Sequence, residues 1–342
     1  MNLSDLLKRR GEKGYMGDIV GLNLSELESP ILPAGIGRLS ALTELNLNRN
    51  RLQTLPVEVS RLSALTALNL KGNRLETLPP VIGRLGSLIT LNISWNRRLQ
   101  ALPAWVGQLT ALTTLDLSWI SLLQTLPKEI IQLRSLTVLN ASNNKLRPLP
   151  EEIGQLTTLT ALHVSNNRFQ TLPAWIGQLR SLTKLHMSTN ELRTLPAELF
   201  QLKALTELNL GHNQLEILPK EISQLTALGY LDVSGNPLRT IPTEISYLTS
   251  LSILWTRNIG FLPPIVPGCQ ICGLSDSLVR RSHQQWKRRA DRVIAYAVCW
   301  IRKRKTSEVK VGDWKSNERR GLVKLPQFLA REVIGLLFGG WL

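Results

Sequence analysis

Two histidines, His163 and His186, stand 23 residues apart, and His212 follows 26 residues later. Imidazoles in pairs hold transition metals or exchange protons. No third ligand recurs at matching spacing, so no metal is assigned to the pair. A second set, Cys269, Cys272, His283 and Cys299, has the residue types of a Cys3His zinc site. A helix through 283 and 299 would set those two residues about 24 Å apart along its axis and about 160° apart around it. One zinc ion does not reach both. The sequence carries no G-x-x-x-x-G-K-[ST] phosphate loop, no G-x-S-x-G nucleophile elbow and no H-E-x-x-H pair. Adjacent carboxylates such as Glu151 and Glu152 read as a solvated face. Cys299 lies in an apolar run with no neighbour that would activate a thiolate. The chain therefore reads as non-enzymatic, with no cofactor.

Composition narrows the setting. The 342 residues are 43% hydrophobic, enough for a large core, and the aromatic share of 5% is rich in Trp, with nine. Net charge is +16, but residues 265–342 hold 16 Lys and Arg against 6 Asp and Glu, so +10 belongs to a tail. The three cysteines are odd in number and absent from residues 1–268, which argues against a disulfide framework and for a reducing compartment. "MNLSDLLKRRGEKGYMGD" has neither the apolar run nor the cleavage site of a secretory signal. No run of 18 apolar residues occurs, so no spanning helix is expected. The expected location is cytoplasmic, with a secreted bacterial effector as the alternative.

The elements that position these side chains follow from a repeat. The pattern L-x-x-L-x-L-x-x-N-x-L-x-x-L-P starts at Ile19, Leu42, Leu65, Leu88, Leu112, Leu136, Leu159, Leu182, Leu205, Leu228 and Leu251. Eight intervals are 23 residues; Leu88 to Leu112 and Leu112 to Leu136 are 24. In "LTKLHMS", Leu185 and Met187 alternate with Lys184, His186 and Ser188, which predicts a short strand with one buried face. The Asn that follows each strand, Asn167 or Asn190 for instance, can satisfy both N–H and C=O groups of a buried turn. Pro fixes φ at the start of a return segment, where Ile153 and Leu156 fall on one side of a short helix. One unit cannot bury its own leucines, but stacked units can. At about 4.8 Å per strand, the sheet should run about 50 Å.

"LPAGIGRL" at 32–39, "LPEEIGQL" at 149–156 and "LPAWIGQL" at 172–179 carry a resemblance to the leucine-rich repeat family. The 23-residue subtype with an LPxxIGxL second half is the closest in pattern. It is shared by intracellular Ras-associated and cell-polarity scaffolds and by many bacterial repeat proteins. The resemblance implies an α/β solenoid, with a parallel β-sheet on the concave face and short helical returns on the convex face. The expected division is an N-terminal cap over 1–18, about eleven repeats over 19–264, and a basic, mainly helical tail over 265–342. Some bacterial repeat proteins of this kind carry a Cys-dependent ubiquitin ligase domain, for which the tail looks too short.

Outward strand positions should line the concave face. The column between the second and third Leu of each unit is mostly Asn, read as stacked amides bonding along the sheet, with Asp116, His163, His186, Asp232 and Trp255 as exceptions. Lys184, Glu207 and Tyr230 occupy the preceding outward column of three consecutive units, and Trp95 and Trp119 are equivalent positions at the strand exit. Exposed aromatic residues are enriched at hot spots. The candidate partner-binding set is Trp95, Asp116, Trp119, His163, Lys184, His186, Glu207, His212, Tyr230 and Asp232. Ile120 replaces the turn Asn in one of the two 24-residue units, which should alter curvature near 96–123. Trp105 and Trp175, on the returns, read as packing residues.

In the tail, Val279, His283, Trp286, Ala290, Val293, Ala297 and Ile301 form one helical stripe, flanked by Arg280, Arg281, Lys287, Arg288, Arg292, Arg302 and Arg304. Such a helix either caps the open end of the solenoid or lies on an anionic membrane as a peripheral adaptor. Nucleic acid is the least favoured partner. The functional expectation is a scaffold that binds another protein on its concave face.

Overall fold

The computed structural model describes residues 18–257 and 269–273, together with Leu3 and Leu7. Twelve short strands lie in chain order in one open parallel sheet. They are β1 (Gly21–Asn23), β2 (Glu44–Asn46), β3 (Ala67–Asn69), β4 (Thr90–Asn92), β5 (Thr114–Asp116) and β6 (Val138–Asn140), then β7 (Ala161–His163), β8 (Lys184–His186), β9 (Glu207–Asn209), β10 (Tyr230–Asp232), β11 (Ile253–Trp255) and β12 (Gln270–Cys272). Register is strict, so equivalent repeat positions face one another: Leu162 pairs with Leu185, and His163 with His186. The two long units do not break it, since Thr90 pairs with Thr114 and Thr114 with Val138. β12 falls within the span assigned to the tail, in a segment without the leucine rhythm.

The central strand residue points inward. Leu162, Leu185 and Leu208 are fully buried, and the inward Val164 and Met187 that follow the strands are at 0–1% exposure. These side chains join the return-segment leucines and isoleucines in one continuous core, with Leu3 and Leu7 buried at its N-terminal end. Burial of one such side chain is worth about 1.5–3 kcal/mol, and each repeat supplies several.

The returns are five-residue 3-10 turns such as Glu151–Gln155, each opened by a proline. A segment this short closes i→i+3 bonds: Ile153 N–H donates to Pro150 O at 3.1 Å and Leu156 N–H to Ile153 O at 3.0 Å. The glycine of the IGxL motif permits stacking. A Cβ on Gly107 would sit 2.6 Å from Glu129 O of the next return. Trp105 and Trp175 are half-buried there, against the core as the sequence implied.

The turn asparagines form a ladder. Asn167 Nδ2 donates to Ala141 O and Val164 O, both at 3.0 Å, and Oδ1 accepts from Leu146 N–H at 3.0 Å. Each amide thus ties its own turn to the preceding one. Where Ile120 interrupts the ladder, Leu99 N–H turns back to Asn96 O (3.0 Å) and Leu123 N–H to Ile120 O (2.9 Å). The extra residue of each long unit is absorbed in these loops beyond the strand. Trp95 and Trp119 stand beside them.

The basic tail residues Arg280, Arg281, Lys287, Arg288, Arg292, Arg302 and Arg304, with His283 and Cys299, lie outside the described residues. Among the described residues no helix is long and apolar enough to cross a membrane.

Candidate protein-binding face

The outward Asn column is not an amide ladder. Asn140 Oδ1 accepts from Ser142 N–H at 3.1 Å and Asn209 Oδ1 from Gly211 N–H at 3.0 Å. Each Asn caps its own turn, as Asx residues do. Asp116 caps Ser118 N–H at 3.0 Å, and Asp232 accepts from Ser234 N–H at 2.9 Å and Ser234 Oγ at 2.7 Å. Both aspartates of the candidate set are therefore engaged by their own turns. His163 and His186 forgo this bond, and no side-chain oxygen meets the amides of Ser165 and Ser188.

What replaces it is a chain of polar contacts over β7–β9. His163 Nδ1 lies 3.0 Å from His186 Nδ1. His186 Nε2 lies 3.3 Å from Glu207 Oε2, and Lys184 Nζ 2.7 Å from Glu207 Oε1. One assignment satisfies every contact: His163 Nδ1–H donates to His186 Nδ1, His186 Nε2–H donates to Glu207, and both rings are neutral. It leaves His163 Nε2 as an acceptor. The rings meet edge to face, with centroids 4.6 Å apart. Burial first, then electrostatic repulsion of a proton on His163 by the facing His186 and by Lys184, hold the His163 pKa below its ordinary value. The Glu207 pKa is also lowered, chiefly by the hydrogen bond from Lys184. The Lys184–Glu207 pair is partly exposed, with side chains 46% and 34% accessible. Such a pair contributes about 0–1 kcal/mol. It orients the cluster more than it stabilises the fold.

Trp95 and Trp119 form the second group. Their rings stack with centroids 4.5 Å apart and planes 19° from parallel. The Arg97 guanidinium lies 5.0 Å from the Trp95 ring centroid, a cation–π contact. Both residues have left-handed backbones, φ 61° and 60°. The fold imposes this corner on successive units: Gly72 and Gly235 stand there, as do Asn143 and Asn166. Gly and Asn adopt it most readily, whereas a bulky residue is strained. Trp at two adjacent corners is thus present in spite of the backbone.

The other candidates stand apart. His212 occupies the same corner column farther along, with φ 55°, and its ring covers Gly235, where a Cβ would lie 2.5 Å from Nδ1. Tyr230 pairs with Glu207 in register. Burial first, then Asp232, Cys272 and Glu207, push its pKa up. Trp255 continues the histidine column and is 41% exposed. Among the described residues no group of three or more His, Cys, Asp or Glu is placed to hold a metal ion. Cys269 and Cys272 are free thiols.

One feature was missed in the sequence. Arg49, Arg51, Lys71 and Arg74 line an open groove of about 550 Å³ that ends at Trp95. The fifth position after each outward Asn or Asp runs Glu28, Arg51, Arg74, Arg97, and this column would have signalled it.

A single sheet of parallel strands in chain order, strapped by an Asn ladder and 3-10 returns, defines a leucine-rich solenoid. The family profile of the leucine-rich repeat region matches residues 22–124 and 117–213, and a single leucine-rich repeat profile matches 204–225. The chain belongs to the leucine-rich repeat family. Among solved structures, it is similar to a leucine-rich repeat protein of Leptospira interrogans, with 32% identity over 75% of this chain and 84% of that one, TM-score 0.50. It is also similar to the functional domain of InlJ from Listeria monocytogenes, which includes a cysteine ladder, with 27% identity over 76% of this chain and 56% of that one, TM-score 0.62. A TDR receptor shares 27% identity over 76% of this chain and 48% of its own length, TM-score 0.64. A comparison with curated proteins finds no match. The family and the receptor among these structures support a protein-interaction module as the general class.

Proposed function

We propose that the chain is a non-enzymatic scaffold that holds a protein partner across the outward face from Trp95 to Tyr230. One observation carries this reading: two pairs of adjacent repeats set ring side chains, His163 with His186 and Trp95 with Trp119, at outward positions where the backbone suits Asn or Gly better. The histidines stand where Asn would cap a turn, and the tryptophans stand at left-handed corners. In a repeat protein the residues that build the fold recur. Paired departures at a stability cost are best explained by contact with something outside the chain. Binding proceeds by surface complementarity, with no chemical step.

The working location is the cytoplasm, supported by the absence of cysteine from residues 1–268. A bacterial effector acting on a host protein is the alternative favoured by the likeness to the Leptospira and Listeria proteins. A membrane-peripheral adaptor, held by the basic tail, would sediment with anionic liposomes only when residues 265–342 are present. The central test uses the full chain as bait, with Trp95→Ala, Trp119→Ala, His186→Ala and Tyr230→Ala in parallel. Loss of a specific partner in these variants supports the face; undiminished recovery in all four refutes it.

A further inference from the structure

The groove at the strand-exit edge of repeats two to five is separate from the histidine cluster, and its chemistry selects a ligand. Its opening follows from one residue. The left-handed corner column runs Arg49, Gly72, Trp95, Trp119, and Gly72 alone has no side chain, so a gap remains between Arg49 and Trp95. Cations surround that gap. Arg49 and Arg51 are partly neutralised by ion pairs to Glu26 and Glu28, each at 2.9 Å. Lys71 and Arg74 have no ion pair to any described residue, and Arg97 lies on the Trp95 ring. Arg51, Arg74 and Arg97 are exposed, one per repeat. Trp95 carries both the Arg97 guanidinium and the stacked Trp119 ring. Trp119, 37% exposed, offers its own outer face.

We propose that this groove binds an acidic, extended peptide segment of a protein partner. Carboxylates pair with Lys71, Arg74 and Arg97, and one apolar side chain packs on Trp119. The proposal rests on the protein-binding reading above and names the chemistry of one contact. Charge complementarity directs it: Lys71 and Arg74, without an ion pair, and two half-paired arginines line a space with Glu28 as its single acid, and Arg97 stands beside it on the Trp95 ring. The carboxylates Glu26, Glu28 and Glu76 are interleaved along this edge. Separate carboxylates fit between them, whereas the continuous charge of a nucleic acid backbone does not.

The test is fluorescence anisotropy of the full chain with a labelled peptide of six glutamates around a central tryptophan. Three variants separate the contributions. K71E/R74E reverses the charge. Gly72→Asn fills the gap without altering charge, using a residue that the same corner already accepts at Asn143 and Asn166. H163N/H186N alters the other cluster. Expected results are at least about tenfold weaker binding for the first two variants and no change for the third. The tail is identical in all three, so the differences report the groove alone. Wild-type affinity in K71E/R74E or in G72N, no peptide binding by the wild type, or tighter binding of single-stranded oligonucleotide than of peptide would overturn the proposal. Loss of partner capture in the histidine variant with unchanged peptide binding would leave the face reading standing on its own.

Discussion

Replacing both histidines by asparagine should make the protein more stable while it loses its partner. In H163N/H186N each new amide oxygen would stand where Asn140 and Asn209 hold the N–H two residues on, at 3.1 and 3.0 Å. The amides of Ser165 and Ser188 would gain the acceptor they lack. A net hydrogen bond is worth about 0.5–1.5 kcal/mol. Both amides are partly exposed, so the lower half of that range applies and the pair contributes about 1–2 kcal/mol. Against this stands the loss of the His163–His186 and His186–Glu207 contacts, partly exposed and together worth less than about 1 kcal/mol. The net gain is about 1 kcal/mol, which raises Tm by roughly 2–4 °C for a unit of this size. Calorimetry of wild type and variant at pH 7.5, alongside partner capture, measures both effects. A fall in Tm of more than about 2 °C would mean that the histidines serve the fold, and the argument from abandoned asparagines would fail.

Acidification should act through the same cluster. His163 has its pKa lowered from 6.5, so the unfolded chain takes up the proton first; stability is intact above about 6.5 and declines as pH falls toward the folded value. Glu207, lowered from 4.5, adds a loss in the same direction at lower pH. Tm measured from pH 7.5 to 5.5 should decline more steeply in wild type than in H163N; identical slopes would contradict the neutral-pair assignment. Truncating Asn167 to Ala leaves Leu146 N–H without its acceptor, while Ala141 O and Val164 O each lose one of two donors and keep Asn144 and Asn190. At about 1–3 kcal/mol for one orphaned buried group, urea denaturation should register a loss of about 1–3 kcal/mol; under about 0.5 kcal/mol would show that the ladder is dispensable.

The spine of this fold was open to reading because each repeat applies the same constraint. Leu185 and its equivalents must be aliphatic, Asn167 must both donate and accept, and Pro150 must fix φ, so type and spacing recur. The outward Asn column was legible as a column but not in its role. An amide reaches the N–H two residues along its own chain as readily as the neighbouring strand, and periodicity does not distinguish the two. The left-handed corners under Trp95 and Trp119 were hidden, because φ is set by the turn and not announced by Trp. The groove draws Arg49, Arg51, Lys71, Gly72 and Arg74 from two successive units at several offsets, so the Arg51–Arg74–Arg97 column signals its charge but not the gap at Gly72. β12 lacks the leucine signature and is held by pairing with β11.

The recurring left-handed corner makes the solenoid a ruler with interchangeable pegs. Its neighbours dictate the backbone at every graduation, so whatever hangs there inherits a fixed direction and a fixed distance from the next. Transplanting the indole pair from 95 and 119 to 143 and 166 should therefore slide the aromatic platform two graduations along the rod, with the leucine spine left untouched. Recognition by this protein is thus set by where along the rod the pegs are placed.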